Sequence, residues 1–91
     1  MHKFDFKTRT AVITGGAQGF GLDVAKRFLD SGSKVFIWDI DEKLLKTAVE
    51  EVNNPNLFYN VVDVSNYQDV DKNVSKITSK SNIDILINNA G

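Results

Sequence analysis

The chain of 91 residues, 42% hydrophobic and 25% charged, has the composition of one folded unit and carries no apolar stretch long enough to span a bilayer. Its 11 basic and 12 acidic side chains leave a formal net charge of −1 with no Lys/Arg block, which argues against a nucleic-acid or membrane-surface partner. The lack of cysteine and the single histidine, His2, argue against disulfides and metal centres, and the charged start Met1–Lys7 is no secretory signal, so a cytoplasmic protein is expected.

Apolar residues alternate between short runs and helical spacing, the pattern of β-α-β units. Thr10–Thr14 predicts the first strand. The stretch from Leu22 to Asp30 then places Leu22, Ala25, Phe28 and Leu29 on one helical face, and Ser31-Gly32 stops it, the glycine being suited to a left-handed C-terminal cap. Lys34–Asp39 predicts a second strand whose Val35, Phe36, Ile37 and Trp38 are apolar enough to be covered on both faces, with Phe36 and Trp38 as core. A second helix starts near Asp41, its cap, and repeats Leu44, Leu45, Ala48, Val49 and Val52 until Asn53-Asn54-Pro55 ends it. Leu57–Val62 predicts strand three. Ser65-Asn66-Tyr67-Gln68 has the form of a capping box, and Tyr67, Val70, Val74 and Ile77 mark the packing face of a third helix. After the polar loop Ser79–Asn82, Ile83–Ile87 predicts strand four.

Four strands joined by three crossover helices give a β-α-β-α-β-α-β portion of a doubly wound parallel sheet of the Rossmann type, a three-layer α/β/α arrangement. In the strand order of that fold a fifth strand covers the outer edge of strand four. Residues 1–91 are therefore expected to be one cofactor-binding portion of a longer protein, truncated after Asn88-Asn89-Ala90-Gly91.

The segment Thr14-Gly15-Gly16-Ala17-Gln18-Gly19-Phe20-Gly21 joins the first strand to the first helix. Glycines at such a turn let the backbone approach an anion closely, and the free N–H groups and positive dipole end of the following helix attract it. The G-x-G-x-x-G fingerprint fails, because starting at Gly19 its third glycine falls on Val24. A P-loop fails as well, since Leu22-Asp23 stands where Lys-Ser or Lys-Thr is required. The remaining spacing, Gly15-x-x-x-Gly19-x-Gly21, resembles the T-G-x-x-x-G-x-G motif of the short-chain dehydrogenase/reductase family. Two further elements of that family appear in order, Asp63-Val64 after strand three and Asn88-Asn89-Ala90-Gly91 after strand four. The resemblance covers the chain from about Phe6 to Gly91.

The resemblance implies a nicotinamide dinucleotide as cofactor. The backbone around Gly15, Gln18, Gly19 and Phe20 is expected at the adenosine ribose and pyrophosphate, and Gly21 is expected to let the helix pack on the sheet. Asp63 is expected to accept from the adenine amino group and Val64 N–H to meet a ring nitrogen. Asn88, Ala90 and Gly91 are expected to line the adenosine ribose and the path towards nicotinamide. Phe20 replaces the aliphatic residue more usual at its position, a change tolerated where the backbone N–H makes the contact. Asp39, at the end of strand two, suits the ribose hydroxyls of NAD. It would repel the 2′-phosphate of NADP by roughly 3 kcal/mol at about 5 Å and an effective dielectric of about 20, about a hundredfold. Gln18 and Ile40 offer no compensating cation, so NAD is expected over NADP.

Members of the family move a hydride between nicotinamide and a carbonyl or secondary alcohol, using a Tyr-x-x-x-Lys pair and a serine. No Tyr-x-x-x-Lys occurs in this chain, so no catalytic residue is assigned and the 91 residues alone are expected to be inactive. The full-length protein is expected to act on a small alcohol or ketone, 3-oxoacyl or 3-hydroxyacyl compounds included, and to form a homo-oligomer, a tetramer by the resemblance. Three other readings stand beside this one: a stand-alone dinucleotide-binding module, a methyltransferase-type domain and an inert fragment.

Overall fold

The computed structural model describes residues 9–89. The expectations for His2, Ala90 and Gly91 lie outside the described residues. Seven elements follow one another as β1 (Thr10–Thr14), α1 (Gly19–Asp30), β2 (Lys34–Asp39), α2 (Glu42–Val52), β3 (Leu57–Val61), α3 (Tyr67–Thr78) and β4 (Ile85–Asn88). The four strands form one parallel sheet in the order β3-β2-β1-β4. Chain order therefore reverses at β1, which pairs Thr14 with Trp38 of β2 on one side and with Asn88 of β4 on the other. That register aligns the C-terminal ends of the strands along one edge of the sheet, where ligands of such sheets bind.

Two cores account for the three layers. On one face Ala25 and Leu29 of α1 and Leu45 and Ala48 of α2 pack against Ile13, Val35, Ile37 and Leu57. On the other, Ile77 of α3 packs against Val12, Trp38 and Val62, with Val70 and Val74 half-buried beside them. Every residue of β1 is buried. Phe36 is half-buried and stacks on Phe58 of the next strand, with ring centroids 5.1 Å apart.

The helix ends follow local chemistry. Gly32, at φ 91°, ends α1, its N–H reaching the Leu29 carbonyl at 2.9 Å. Asn53 takes the left-handed conformation that ends α2 and donates its N–H to the Val49 carbonyl at 3.0 Å. The Asp41 carboxylate caps α2 by accepting from Leu44 N–H at 3.2 Å.

Four expectations are corrected. Asn66, not Ser65, caps α3, its side-chain oxygen accepting from Asp69 N–H at 3.1 Å. Ser65 turns back instead to Asp63, where its hydroxyl finds a carboxylate 2.6 Å away. Tyr67, as the first residue of α3, sits a turn too early to reach the sheet and is 80% exposed rather than packed. β4 runs from Ile85 to Asn88, two residues later at its start than the apolar run suggests. Asp84 is already tied to β1 by its backbone, donating N–H to the Thr10 carbonyl at 2.9 Å, while its carboxylate accepts from Thr10 N–H at 2.9 Å. β3 likewise stops at Val61, one residue short of the predicted end.

Candidate functional site

The turn between β1 and α1 is held to the sheet by Gly16, whose N–H donates to the Trp38 carbonyl at 3.2 Å. Gly19 adopts φ +61°, and no atom lies within 4 Å of the place a Cβ would occupy. The turn is thus both glycine-dependent and open outward. Gln18 is the N-cap of α1, in extended conformation and with no side-chain cap hydrogen bond. By contrast, α2 and α3 are both capped by side chains. The first N–H groups of α1 have no partner within the helix, and the first turn carries no acidic residue, so this end can accept an anion. The Phe20 side chain is 70% exposed, leaving its backbone as the part built into the turn.

Gly21 is buried for a different reason. A Cβ there would run into the Gly15 carbonyl oxygen and come within 2.8 Å of the Asn89 side-chain nitrogen. Helix, turn and the end of β4 therefore meet at one backbone position. The close packing expected of Gly21 thus involves the turn and the end of β4.

At the strand ends a cleft of about 190 Å3 is lined by Gly15, Trp38, Asp39, Ile40, Val62, Asp63 and Val64. Four of these, Gly15, Asp39, Asp63 and Val64, are residues singled out from the sequence. Ile40 enters the sequence reading only as a position without a compensating cation, and Trp38 and Val62 are not assigned to the site there, although each of the three is the chain neighbour of one of the two acids. The Ile40 side chain is 69% exposed and that of Val64 is 41% exposed, so apolar surface faces solvent at a cleft that also carries two carboxylates. That combination suits a flat ring with polar edges.

The two acids are each held by one oxygen. Asp39 Oδ1 accepts from Asp41 N–H at 3.1 Å. Asp63 Oδ1 accepts from both the Ser65 hydroxyl at 2.6 Å and Ser65 N–H at 3.0 Å. The Ser65 hydroxyl first, and its N–H second, hold the Asp63 carboxyl below its ordinary pKa, with slight desolvation opposing them. Asp63 is therefore an acceptor at neutral pH.

Asn88 lines a neighbouring cleft of about 170 Å3 with Thr14, Trp38, Val64, Val70 and Leu86. The Thr14 hydroxyl donates to Asn88 Oδ1 at 3.0 Å and accepts from Asn89 N–H at 2.9 Å, fixing the end of β4 to the end of β1. Thr14 and Asn89 are organising residues that the sequence offered only as members of the two motifs, with no role of their own. A larger hollow of about 350 Å3 lies over Phe36 and Phe58 with Lys34, Lys76 and Lys80 on its margin. It includes none of the turn or strand-end residues, so the site is placed by chemistry and not by size. Among the described residues no group of three or more His, Cys, Asp or Glu is arranged to hold a metal, and no helix is long and apolar enough to cross a membrane.

Residues 9–91 match the short chain dehydrogenase family. The 3-oxoacyl-acyl-carrier-protein reductase FabG of Chlamydia muridarum is 34% identical over 87 residues, covering 91% of this chain and 35% of that protein. A short chain dehydrogenase from Bacillus anthracis superposes with a TM-score of 0.90 at 35% identity, over 97% of this chain and 37% of that one. An NADPH-bound short chain oxidoreductase from Pseudomonas aeruginosa PAO1, described as containing an atypical catalytic center, superposes with a TM-score of 0.88 at 30% identity, over 98% of this chain and 37% of that one. The chain thus spans about a third of the length of these relatives.

Proposed function

The chain belongs to the short-chain dehydrogenase/reductase family, and from that premise we propose that it supplies the cofactor-holding part of an oxidoreductase that uses NAD in preference to NADP. The observation that carries this reading is the convergence on one cleft of Gly15, Asp39 and Asp63, beside a helix N-terminus left uncapped. The N–H groups of Gly19, Phe20 and Gly21 hold the pyrophosphate, and Gly15 and Gln18 flank the adenosine ribose. Asp39 keeps one oxygen for Asp41 N–H and offers the other to the ribose hydroxyls. Asp63 offers Oδ2 to the adenine amino group, and Val64 N–H meets the ring. Asn88 continues the wall towards the nicotinamide.

When bound, the nicotinamide supplies or accepts a hydride at its C4. The proton that balances this transfer at the substrate oxygen needs an acid–base pair, and these 91 residues hold no Tyr-x-x-x-Lys to provide one. The catalytic step therefore belongs to residues outside this chain, in a cytoplasmic homo-oligomer acting on a secondary alcohol or ketone. The likeness to a 3-oxoacyl reductase favours a 3-oxoacyl or 3-hydroxyacyl substrate.

The test is direct titration with NADH and NADPH, followed by calorimetry. Tighter binding of NADH supports the reading, equal or tighter binding of NADPH overturns the cofactor preference, and binding of neither overturns the cofactor role itself.

A further inference from the structure

We propose that Asp69 is a positioning residue for Asp63 and thereby sets how well the site recognises the adenine amino group; this rests on the cofactor reading above. Asp69 lies in the first turn of α3, where an acidic residue is usually explained by the helix dipole alone or by a bond back to the N-cap N–H. Its carboxylate does something else. Oδ2 accepts from Asp63 N–H at 2.8 Å, three residues upstream of the cap. Asp69 N–H is meanwhile held by the Asn66 side chain at 3.1 Å.

Asn73, one helical turn on and only 4% exposed, donates its side-chain amide to the Asp69 carbonyl at 2.8 Å and lies 3.4 Å from Asp69 Oδ1. Asp63 is thus gripped at two points. Asp69 holds its backbone N–H from the helix side, and Ser65 holds Oδ1 from the turn side. With both fixed, the freedom of Oδ2 is restricted. Val64, the next residue, is carried by the same backbone and lines the same cleft. A residue outside the cleft lining therefore decides the aim of two residues within it.

The test compares NAD with nicotinamide hypoxanthine dinucleotide, which has a carbonyl oxygen where adenine has its amino group, on the intact protein. Wild type should bind NAD more tightly than the hypoxanthine form. Asp69→Ala should weaken NAD about fivefold to tenfold, the loss of one charge-assisted hydrogen bond, and leave the hypoxanthine form nearly unchanged, so that the ratio collapses. Asp69→Asn keeps an acceptor oxygen and should restore most of the ratio. Should the alanine protein fail to fold, Asp69→Ser, whose hydroxyl falls one bond short, gives the same comparison in a residue well suited to a first helical turn. A wild-type ratio retained in the alanine or serine protein overturns the proposal. A wild-type protein that does not distinguish the two dinucleotides overturns the assignment of Asp63 to adenine, and the proposal with it.

Discussion

The side-chain amide of Asn89 donates to the carbonyl oxygen of Gly15 at 3.2 Å, joining the glycine turn to the end of β4 across 74 positions of sequence. Gly21 lies against both partners of this bond, too close for any side chain. The shape of the glycine turn therefore depends on β4 as well as on its own glycines.

Gly21→Ala should accordingly damage two properties together. Relief of the overlap with Gly15 and Asn89 requires the helix to move, at a cost of about 1–3 kcal/mol. Dinucleotide affinity should fall in the same variant. Thermal melting and a binding isotherm check this, and a variant as stable and as tight as wild type would show that the turn has room to spare.

Asp39 should set the choice of cofactor. The bare repulsion of a 2′-phosphate is about 3 kcal/mol, but the half-exposed carboxylate is screened by water, which leaves a preference for NAD of roughly tenfold to a hundredfold. Asp39→Ser combined with Ile40→Arg removes the repulsion and adds a cation. The ratio of the two dissociation constants should then approach unity or invert, and an unchanged ratio would clear Asp39 of this role.

Ser65→Ala should raise the pKa of Asp63 towards the ordinary carboxylate value, because the hydroxyl is the larger of the two influences that lower it. The sign follows from linkage: a depressed folded-state pKa gives stability that is full above the unfolded value, about 4, and is lost as pH falls through the folded value. The variant should begin to lose that contribution at a higher pH than wild type. An NMR titration of the Asp63 carboxyl reads both midpoints, and coincident midpoints would refute the role given to Ser65.

Trp38 is the single tryptophan and borders both strand-end clefts, so its fluorescence should report dinucleotide binding. Its indole N–H donates to Asn60 Oδ1 at 3.1 Å, while the side chain as a whole is 2% exposed. Asn60→Ala strands that donor and should cost about 1–3 kcal/mol of stability. A urea midpoint that does not move would mean that another acceptor takes over.

The first two strands could be read from sequence with their ends, because β-branched and aromatic runs between glycine, serine and charged residues leave little choice of register. Gly15, Asp39, Asp63 and Val64 are grouped by the family resemblance, and the fold brings them to one cleft because strand ends in a parallel sheet fall on one edge. The start of α3 could not be read from sequence. Ser65, Asn66 and Asp69 all have capping chemistry, and only the fold decides that Ser65 serves Asp63 while Asn66 takes the helix. Tyr67 misled for a related reason: helical spacing fixes which side chains share a face, not whether the sheet extends far enough to meet the first of them. The Thr14–Asn89 link was equally hidden, since neither residue carries a local sign that the two ends of the chain meet.

β1 lies between β2 and β4, and its partners Ile85 to Asn88 are the last of these four strands to be made. At about 5–20 residues per second, roughly 4–15 s of synthesis separate Thr14 from Asn88. During that interval the newborn chain holds its most buried strand with one open edge. Its dependence on chaperones should be concentrated there, in the window that closes when β4 leaves the ribosome and docks.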